Sequence, residues 1–353
     1  MNKLVLTYQS LEDLNIGDYV QSIAALQFLG KKTVKYWDRE KLTQYDGKPA
    51  KLIMNCWFSS KYGNFPPSSR IKPLFISFHL NAKDVNAFLE DHRNIEYLSQ
   101  FKAVGCRDIN TASRLKSKGV KAYFSGCLTL TLGNTYKPRN ASNKICFVDA
   151  ISTRSTNRNL REKVAELVSD LIFFARNTKE ILKVRESLYQ HNHLVNSTIG
   201  ISWRRVQYSI QTFKVVKNLI SPKLWSSIVY YTHHYNAKAY DSDAERFERA
   251  DFLLKEYASS SLVISSRIHA ILPSTGIGVP ALYLNQKNDD PLSECRKSGL
   301  TDLLNYVDLI GSKIVRNEHG LIETTNQIKP LNKHQGLVEK MNEDVIEYLE
   351  ESL

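Results

Sequence analysis

The residues from Leu262 to Leu284 constrain the fold more than any other stretch of the chain. An apolar run, Leu262-Val263-Ile264, stops at Ser265-Ser266-Arg267-Ile268-His269. A helical pattern containing Pro273 and Gly276 follows, and Gly278-Val279-Pro280 leads into a second apolar run, Ala281-Leu282-Tyr283-Leu284. Strand, turn, helix and strand in this order form a βαβ unit, which belongs to a parallel sheet buried on both faces. Arg267 and His269 then stand where the strand's carboxyl end meets the helix's amino end. Free backbone N–H groups and the positive end of the helix dipole converge there and favour anions. Ligands of open α/β sheets bind along the same edge. Taken alone, the stretch is equally compatible with a corner whose Arg and His make only structural hydrogen bonds.

The same alternation runs through the chain. Leu4-Val5-Leu6 reads as a first strand, and Tyr19 to Leu29 as a helix stopped by Gly30, with Asn15-Ile16-Gly17-Asp18 at its entrance. Asp18 there is either an ordinary N-cap or a carboxylate held at the sheet edge for proton transfer. Leu52 to Asn55 reads as a strand, Ser59 to Pro73 as a loop, and Phe75 to His79 as a strand ending in a packed or capping histidine. Ala103 to Asp108, Thr111 to Lys118 and Val120 to Phe124 form another βαβ unit, closed by Gly119 and followed by Ser125-Gly126-Cys127. Its Arg107 occupies the position that Arg267 occupies in the later unit, against the helix dipole, so an anion is expected beside it.

The polar stretch from Leu132 to Asn143 is the candidate linker. Beyond it, Lys144 to Asp149 opens a second sheet, with Arg154 in the following loop, and helices are expected over 160–175, 178–189 and 206–220. Ile228 to Tyr231 is a strand ending at His233-His234, of which one faces the cleft. Asp241-Ser242-Asp243 has the spacing of a metal-binding D-x-D, but carboxylates at a helix start account for it better. The resulting architecture is α/β: two doubly wound, Rossmann-like domains over residues 1–137 and 144–330, with an amphipathic helix over 336–353 packing back on them.

A formal charge of +12 over 353 residues favours anionic partners. The cations are dispersed and form no recognisable nucleic-acid module, so a phosphorylated small molecule fits better than nucleic acid. No run is apolar enough to span a bilayer, and the start leads into a strand rather than a signal peptide, so the expectation is a cytoplasmic protein, peripheral to a membrane at most. Five scattered cysteines without C-x-x-C point to reduced thiols and away from zinc. There is no G-x-G-x-x-G after the first strand, no P-loop and no G-x-S-x-G elbow.

Four stretches in this order resemble the polysaccharide pyruvyl transferase family. They are Asn15-Ile16-Gly17-Asp18-Tyr19-Val20-Gln21-Ser22, Gly105-Cys106-Arg107-Asp108 with Thr111, Ser125-Gly126-Cys127-Leu128-Thr129-Leu130-Thr131-Leu132, and Ser265-Ser266-Arg267-Ile268-His269 continuing to Gly278-Val279-Pro280. The region between Arg154 and Tyr240 matches poorly.

The resemblance implies a fold like that of the B-type (GT-B) glycosyltransferases and transfer of a pyruvyl group from phosphoenolpyruvate to a sugar, as a ketal, without a metal or other cofactor. It carries the family's Arg-x-His onto Arg267 and His269, its aspartate onto Asp18, its Cys-Arg-Asp arginine onto Arg107 and its lysine after the Gly-x-Pro strand onto Lys287. Arg154 joins them on charge and position. The expected phosphoenolpyruvate site is therefore Arg107, Arg154, Arg267, His269 and Lys287, with His269 and Asp18 catalytic. Asn15, Gly17, Ser125 and His234 are expected to line the cleft or the acceptor site. The acceptor is a saccharide, free or lipid-linked. A glycosyltransferase of the same fold using a nucleotide sugar is the alternative, and a non-catalytic polysaccharide- or nucleic-acid-binding protein is a third reading.

Overall fold

The structure, a computed structural model, describes residues 1–351 apart from 10–12, 31–32, 60–63, 81–83, 140–142, 151–158, 191–198, 237–238 and 288–294. Arg154 lies outside the described residues. In the amino-terminal half, β1 (Asn2–Thr7) is followed by β2 (Asp13–Asn15), α1 (Ile16–Leu29), β3 (Val34–Asp38), β4 (Ala50–Ile53), β5 (Trp57–Phe58), β6 (Ile71–Leu74) and β7 (His79–Leu80). Then come α2 (Val85–Glu90), α3 (His92–Ser99), β8 (Val104–Cys106), α4 (Ile109–Ser117) and β9 (Ala122–Phe124). The main sheet has the order β3-β1-β4-β6, all parallel. Parallel pairs β5–β7 and β8–β9 extend this half.

The carboxy-terminal half contains β10 (Ile145–Val148), α5 (Leu160–Arg176), α6 (Thr178–Gln190), α7 (Ile199–Leu219), β11 (Ile228–Tyr231), β12 (His234–Asn236) and α8 (Asp243–Ala258). It continues with β13 (Leu262–Ser265), α9 (Ile268–Ile277), β14 (Ala281–Gln286), β15 (Asn305–Ile310), β16 (Lys313–Arg316) and the tail helix α10 (Gln335–Glu350). Its sheet runs β11-β10-β13-β14-β15-β16, parallel except for the last pair. The strand period of two divides its side chains between two cores. Ile145 and Phe147, with Leu262 and Ile264, face the layer that includes α6 and α7; Cys146, Val148 and Val263 face the core shared with the amino-terminal half. Two α/β halves, each built on a mainly parallel sheet, thus meet across a shared core. The tail helix docks on the first half, where the Tyr348 hydroxyl accepts from Leu52 N–H at 2.8 Å and Met341 and Val345 are buried.

Three local expectations change. The chain from Phe75 to His79 is not one strand. The strand is Ile71–Leu74, placing Pro73 inside it, and Ser77 adopts φ 57°, held where its N–H donates to Ser125 Oγ at 2.9 Å and its own hydroxyl accepts from Leu128 N–H at 2.6 Å. The cap of α1 is Asn15, whose side chain accepts from Gly17 N–H at 3.1 Å; Asp18 lies in the first turn and is buried. The stretch entered as a linker at Leu132 begins inside a buried 3₁₀ helix, Leu128–Asn134.

That 3₁₀ helix and α9 join the halves by direct backbone contact. A Cβ on Gly276 would stand 2.0 Å from the Leu130 carbonyl oxygen, and one on Gly133 2.1 Å from that of Gly276. Gly276→Ala is therefore expected to destabilise the protein by about 1–3 kcal/mol or more, measured by urea unfolding. An unchanged midpoint would show that the two helices are not in this contact.

Candidate active site

The site lies where the carboxyl ends of both sheets face each other. β2 of the first half pairs antiparallel with β12 of the second, His234 opposite Asn15, and Ile16 N–H donates to the His233 carbonyl at 2.9 Å. The start of α1 is thereby pinned to the other half. A Cβ on Gly17 would stand 3.1 Å from both His233 Nδ1 and His269 Cβ, so a side chain there would require these neighbours to give by a few tenths of an ångström.

In the second half Asp149 is the organising residue. It follows β10 at φ 41°, a left-handed conformation costly for a non-glycine residue and frequent at functional sites. Its carboxylate accepts from Arg267 Nε at 3.1 Å, from Tyr208 hydroxyl at 3.0 Å and from His233 N–H at 2.9 Å. Burial pushes this carboxyl up, but Arg267, His234, His233 and the His233 N–H together outweigh burial and hold it at about 2. It is an anchor, ionised throughout the physiological range. Arg267 caps α9 and is partly neutralised by Asp149; His269, half-buried in the first turn, leaves Nε2 without a hydrogen-bond partner among the described residues.

Across the cleft, Arg107 is buried and its Nε likewise lacks a partner. Asp108 caps α4 through Thr111 N–H at 2.8 Å and bonds His79 Nδ1 at 2.8 Å, which leaves buried His79 Nε2 unpartnered. Burial and then Arg107 push the His79 imidazole down to about 3, so it is neutral. Arg296 completes the cluster and borders a small recess with His79 and Asp108. It is exposed to solvent yet ringed by protein atoms, as a side chain lining a water-filled cleft is; burial and Arg107 push its guanidinium down. Burial, then Arg107, His233, His79 and Arg296, push the His269 imidazole well below its ordinary range. Arg107 Nε, His79 Nε2 and His269 Nε2 thus lack hydrogen-bond partners among the described residues, and the positive charge of the cluster is that of Arg107 and Arg296, opposed by Asp18 and Asp108.

Asp18 faces the same cluster. Burial raises its carboxyl to about 6 against the opposing pull of Arg39, Arg107 and Arg296. Gln21 Nε2 donates to it at 3.1 Å, and the Trp57 side chain hydrogen-bonds it. Trp57 is itself held by Arg39, a fully buried guanidinium 3.5 Å from the indole centroid that also donates to the Trp57 carbonyl at 3.2 Å. Asp18 is thus raised and His269 lowered, both within the field of Arg107 and Arg296.

The other expected residues are placed as follows. Asn15 caps α1, and Gly17 is the contact just described. Ser125 is buried, bonded to Ser77 N–H and to the Cys106 carbonyl at 3.1 Å, so it braces the Arg107 loop instead of lining the cleft. Exposed His234 acts on Asp149 through its charge, whereas its neighbour His233 is buried, bonded to Tyr257 hydroxyl at 2.7 Å. Lys287 is exposed and stands 3.9 Å from Asp308. Sequence reasoning missed Arg296, Asp149, Trp57 and Arg39. Asp149 alone carried a signal, as a charged residue closing an apolar strand. Asp243 is taken up by Tyr19 hydroxyl at 2.6 Å, and no group of three or more metal-ligating side chains occurs among the described residues. A recess of about 470 Å³ opens further along α1, lined by Tyr36, Tyr136 and Phe247, but its Lys137 and Lys255 are already bonded to Gly133 and Asp251.

The structure is a mixed α/β protein with parallel sheets in both halves. The sequence profile of the polysaccharide pyruvyl transferase family matches residues 91–288, more than half of the chain, and the chain belongs to that family, with a pyruvyl-transfer role in polysaccharide biosynthesis. The matched region contains Arg107, Asp149, Arg267, His269 and Lys287; Asp18, Trp57 and Arg296 lie outside it. No curated protein matches the chain. Among solved structures, an uncharacterised protein of Klebsiella pneumoniae superposes with TM-score 0.39 at 12% identity, covering 84% of this chain and 87% of its own. A protein of Listeria monocytogenes described as a UDP-N-acetylglucosamine 2-epimerase gives 0.41 at 9% identity, covering 100% and 97%. The E. coli heptosyltransferase WaaC with ADP gives 0.25 at 10%, covering 98% and 99%.

Two outcomes test the electrostatics. Because the Asp18 carboxyl is raised to about 6 in the folded protein, its ionisation costs stability. Asp18→Asn is expected to be more stable than wild type by at most about 3 kcal/mol above pH 6, the difference vanishing below about pH 4; unfolding curves across that range check it. Trp57→Phe removes the hydrogen bond that favours the Asp18 carboxylate, so the limb of the pH–rate profile governed by Asp18 should move to higher pH. An unmoved limb would remove Trp57 from that role.

Proposed function

We propose that the protein transfers the pyruvyl group of phosphoenolpyruvate to two hydroxyls of a saccharide, forming a cyclic ketal and releasing phosphate. The observation that carries this reading is the pair of guanidiniums, Arg107 and Arg296, gathered near Asp18 with the unpartnered ring nitrogens of His79 and His269. Phosphoenolpyruvate brings a phosphate and a carboxylate, and two arginines that repel each other in the empty cleft are drawn together around such a ligand. Arg267, fixed by Asp149, supplies a third guanidinium at the α9 corner, where the helix amino end also favours an anion.

The proton balance suits one acid–base pair. The acceptor loses two hydroxyl protons, of which one ends on the former methylene carbon and the other on the departing phosphate. The Asp18 carboxylate, ionised above about pH 6, takes a hydroxyl proton and is then the acid nearest the methylene. His269 directs its ring nitrogen at the phosphate, and the bound anion's charge raises its basicity by offsetting Arg107 and Arg296. With its basicity so raised, His269 takes the proton of the second hydroxyl and passes it to the departing phosphate. Neither step calls on a metal or other cofactor. Family membership favours this reading over a nucleotide-sugar glycosyltransferase.

The test is phosphate release from phosphoenolpyruvate across galactose, mannose, glucuronate and N-acetylated acceptors, alongside thermal-shift titrations. Phosphoenolpyruvate should raise the melting temperature, nucleotide sugars should not, and Arg296→Met should weaken phosphoenolpyruvate binding roughly 10- to 100-fold, the worth of one or two charge-assisted hydrogen bonds. Stabilisation by nucleotide sugars alone, with no phosphate released from any acceptor, would overturn the reading.

A further inference from the structure

Helix α5 carries an apolar stripe that the fold does not use. Leu160, Val164, Leu167, Val168, Leu171 and Ile172 are all exposed, from 38% at Leu167 to 77% at Leu160. At 100° per residue they fall within an arc of about 140° and span about 18 Å of helix. The opposite side is what attaches α5 to the body: buried Asp170 accepts from Gln211 at 2.9 Å and from Lys214 at 2.6 Å, and Phe173 and Phe174 pack on the core below. A helix with one face docked through a carboxylate and two aromatics, and a continuous apolar face turned to solvent, presents a binding surface.

Charge and size identify what it fits. Arg161 and Arg176, at the two ends of the stripe, and Lys179 at the start of α6 are exposed and have no carboxylate partner among the described residues. The chain carries a net +12, so two copies would bring like charges together. The stripe also offers on the order of a few hundred Å², below the roughly 800 Å² per partner of a stable interface. An anionic bilayer meets both conditions, because it accepts a narrow apolar helix face at the headgroup–acyl boundary and neutralises flanking cations.

We propose that the exposed face of α5 docks the protein on an anionic membrane surface, with Leu160, Val164, Leu167, Val168, Leu171 and Ile172 entering the boundary and Arg161, Arg176 and Lys179 on lipid phosphates. The position is close to the cleft. Tyr208, which holds Asp149, lies on α7 one and two turns before Gln211 and Lys214, which hold α5, about 5 and 9 Å along the helix. A docked α5 therefore brings the cleft to the headgroup region, where a lipid-linked saccharide would present its sugar. That last consequence rests on the proposed function; the docking itself does not.

The experiment is flotation of the full-length protein with vesicles of phosphatidylglycerol in phosphatidylcholine and with vesicles of phosphatidylcholine alone. Wild type should float with the anionic vesicles, less so as salt rises, and much less with the neutral ones. Leu167→Ser/Leu171→Ser should reduce flotation roughly tenfold or more, and Arg161→Glu/Arg176→Glu should do so chiefly at low salt. Both variants should keep the melting temperature and any phosphoenolpyruvate-induced shift of the wild type, which separates failure of the docking from failure of the donor assignment. Undiminished flotation of the leucine variant overturns the proposal. So does absence of wild-type binding, and if wild type then sediments as a dimer that the leucine variant dissociates, the stripe is instead an interface between copies.

Discussion

The contact on which the rest depends is the one that fastens the start of α1 to the opposite half. Ile16 N–H bonds the His233 carbonyl, Asn15 pairs with His234 along the short β2–β12 ribbon, and Gly17 leaves little room for a side chain between His233 and His269. Because the clasp is made of backbone bonds and a glycine, it sets the separation of the halves without relying on long side chains. Asp18 follows immediately and is delivered to the cluster formed by Arg107, Arg296 and His269. On the far side of the same helix pair, Gly276 and Gly133 allow α9 to lie directly on the 3₁₀ helix. Two glycine contacts, one at each level of the interface, thus define the cleft.

The cleft so formed is poorly balanced for a folded protein and well suited to an anion. Among the described residues, three ring or guanidinium nitrogens go unpaired, burial and Arg107 push the Arg296 guanidinium down, and a carboxylate is held in a dry environment that raises it to about 6. Each of these costs stability in the folded protein. The supporting groups behave differently. Asp149 and Asp108 are fully satisfied and ionised, and they fix Arg267 and His79 in place. The division is between rigid, satisfied anchors behind the site and unsatisfied groups facing it.

Much of this was legible along the chain. Short apolar runs separated by helical patterns specify parallel strands with crossovers, and the ends of such strands are where the Arg-x-His and Cys-Arg-Asp segments fall. Local errors arose where a tertiary hydrogen bond overrode the run of apolar residues. Phe75 to Phe78 looks like a strand, yet Ser77 is turned left-handed by bonds to Ser125 and Leu128, residues some fifty positions away. Arg296 shows the limit of arguing from position at a strand end: it lies nine residues beyond Lys287 and still acts on Asp18 and His269.

From sequence alone came the α/β class and the family resemblance, and with them Asp18, Arg107, Arg267 and His269 as expected site residues, because these depend on short-range patterns and on the directions in which strands and helices point. Only the tertiary structure decided that Arg296 faces Arg107, that Asp149 holds Arg267, and that Trp57 on Arg39 holds Asp18. Those pairings join residues 118 apart, as in Arg267 and Asp149, or two separate strand edges, as in Trp57 and Asp18. No local period encodes them; they follow from how the two halves pack. The same holds for α5, whose apolar pattern announces a buried helix face and whose place in the fold turns that face outward.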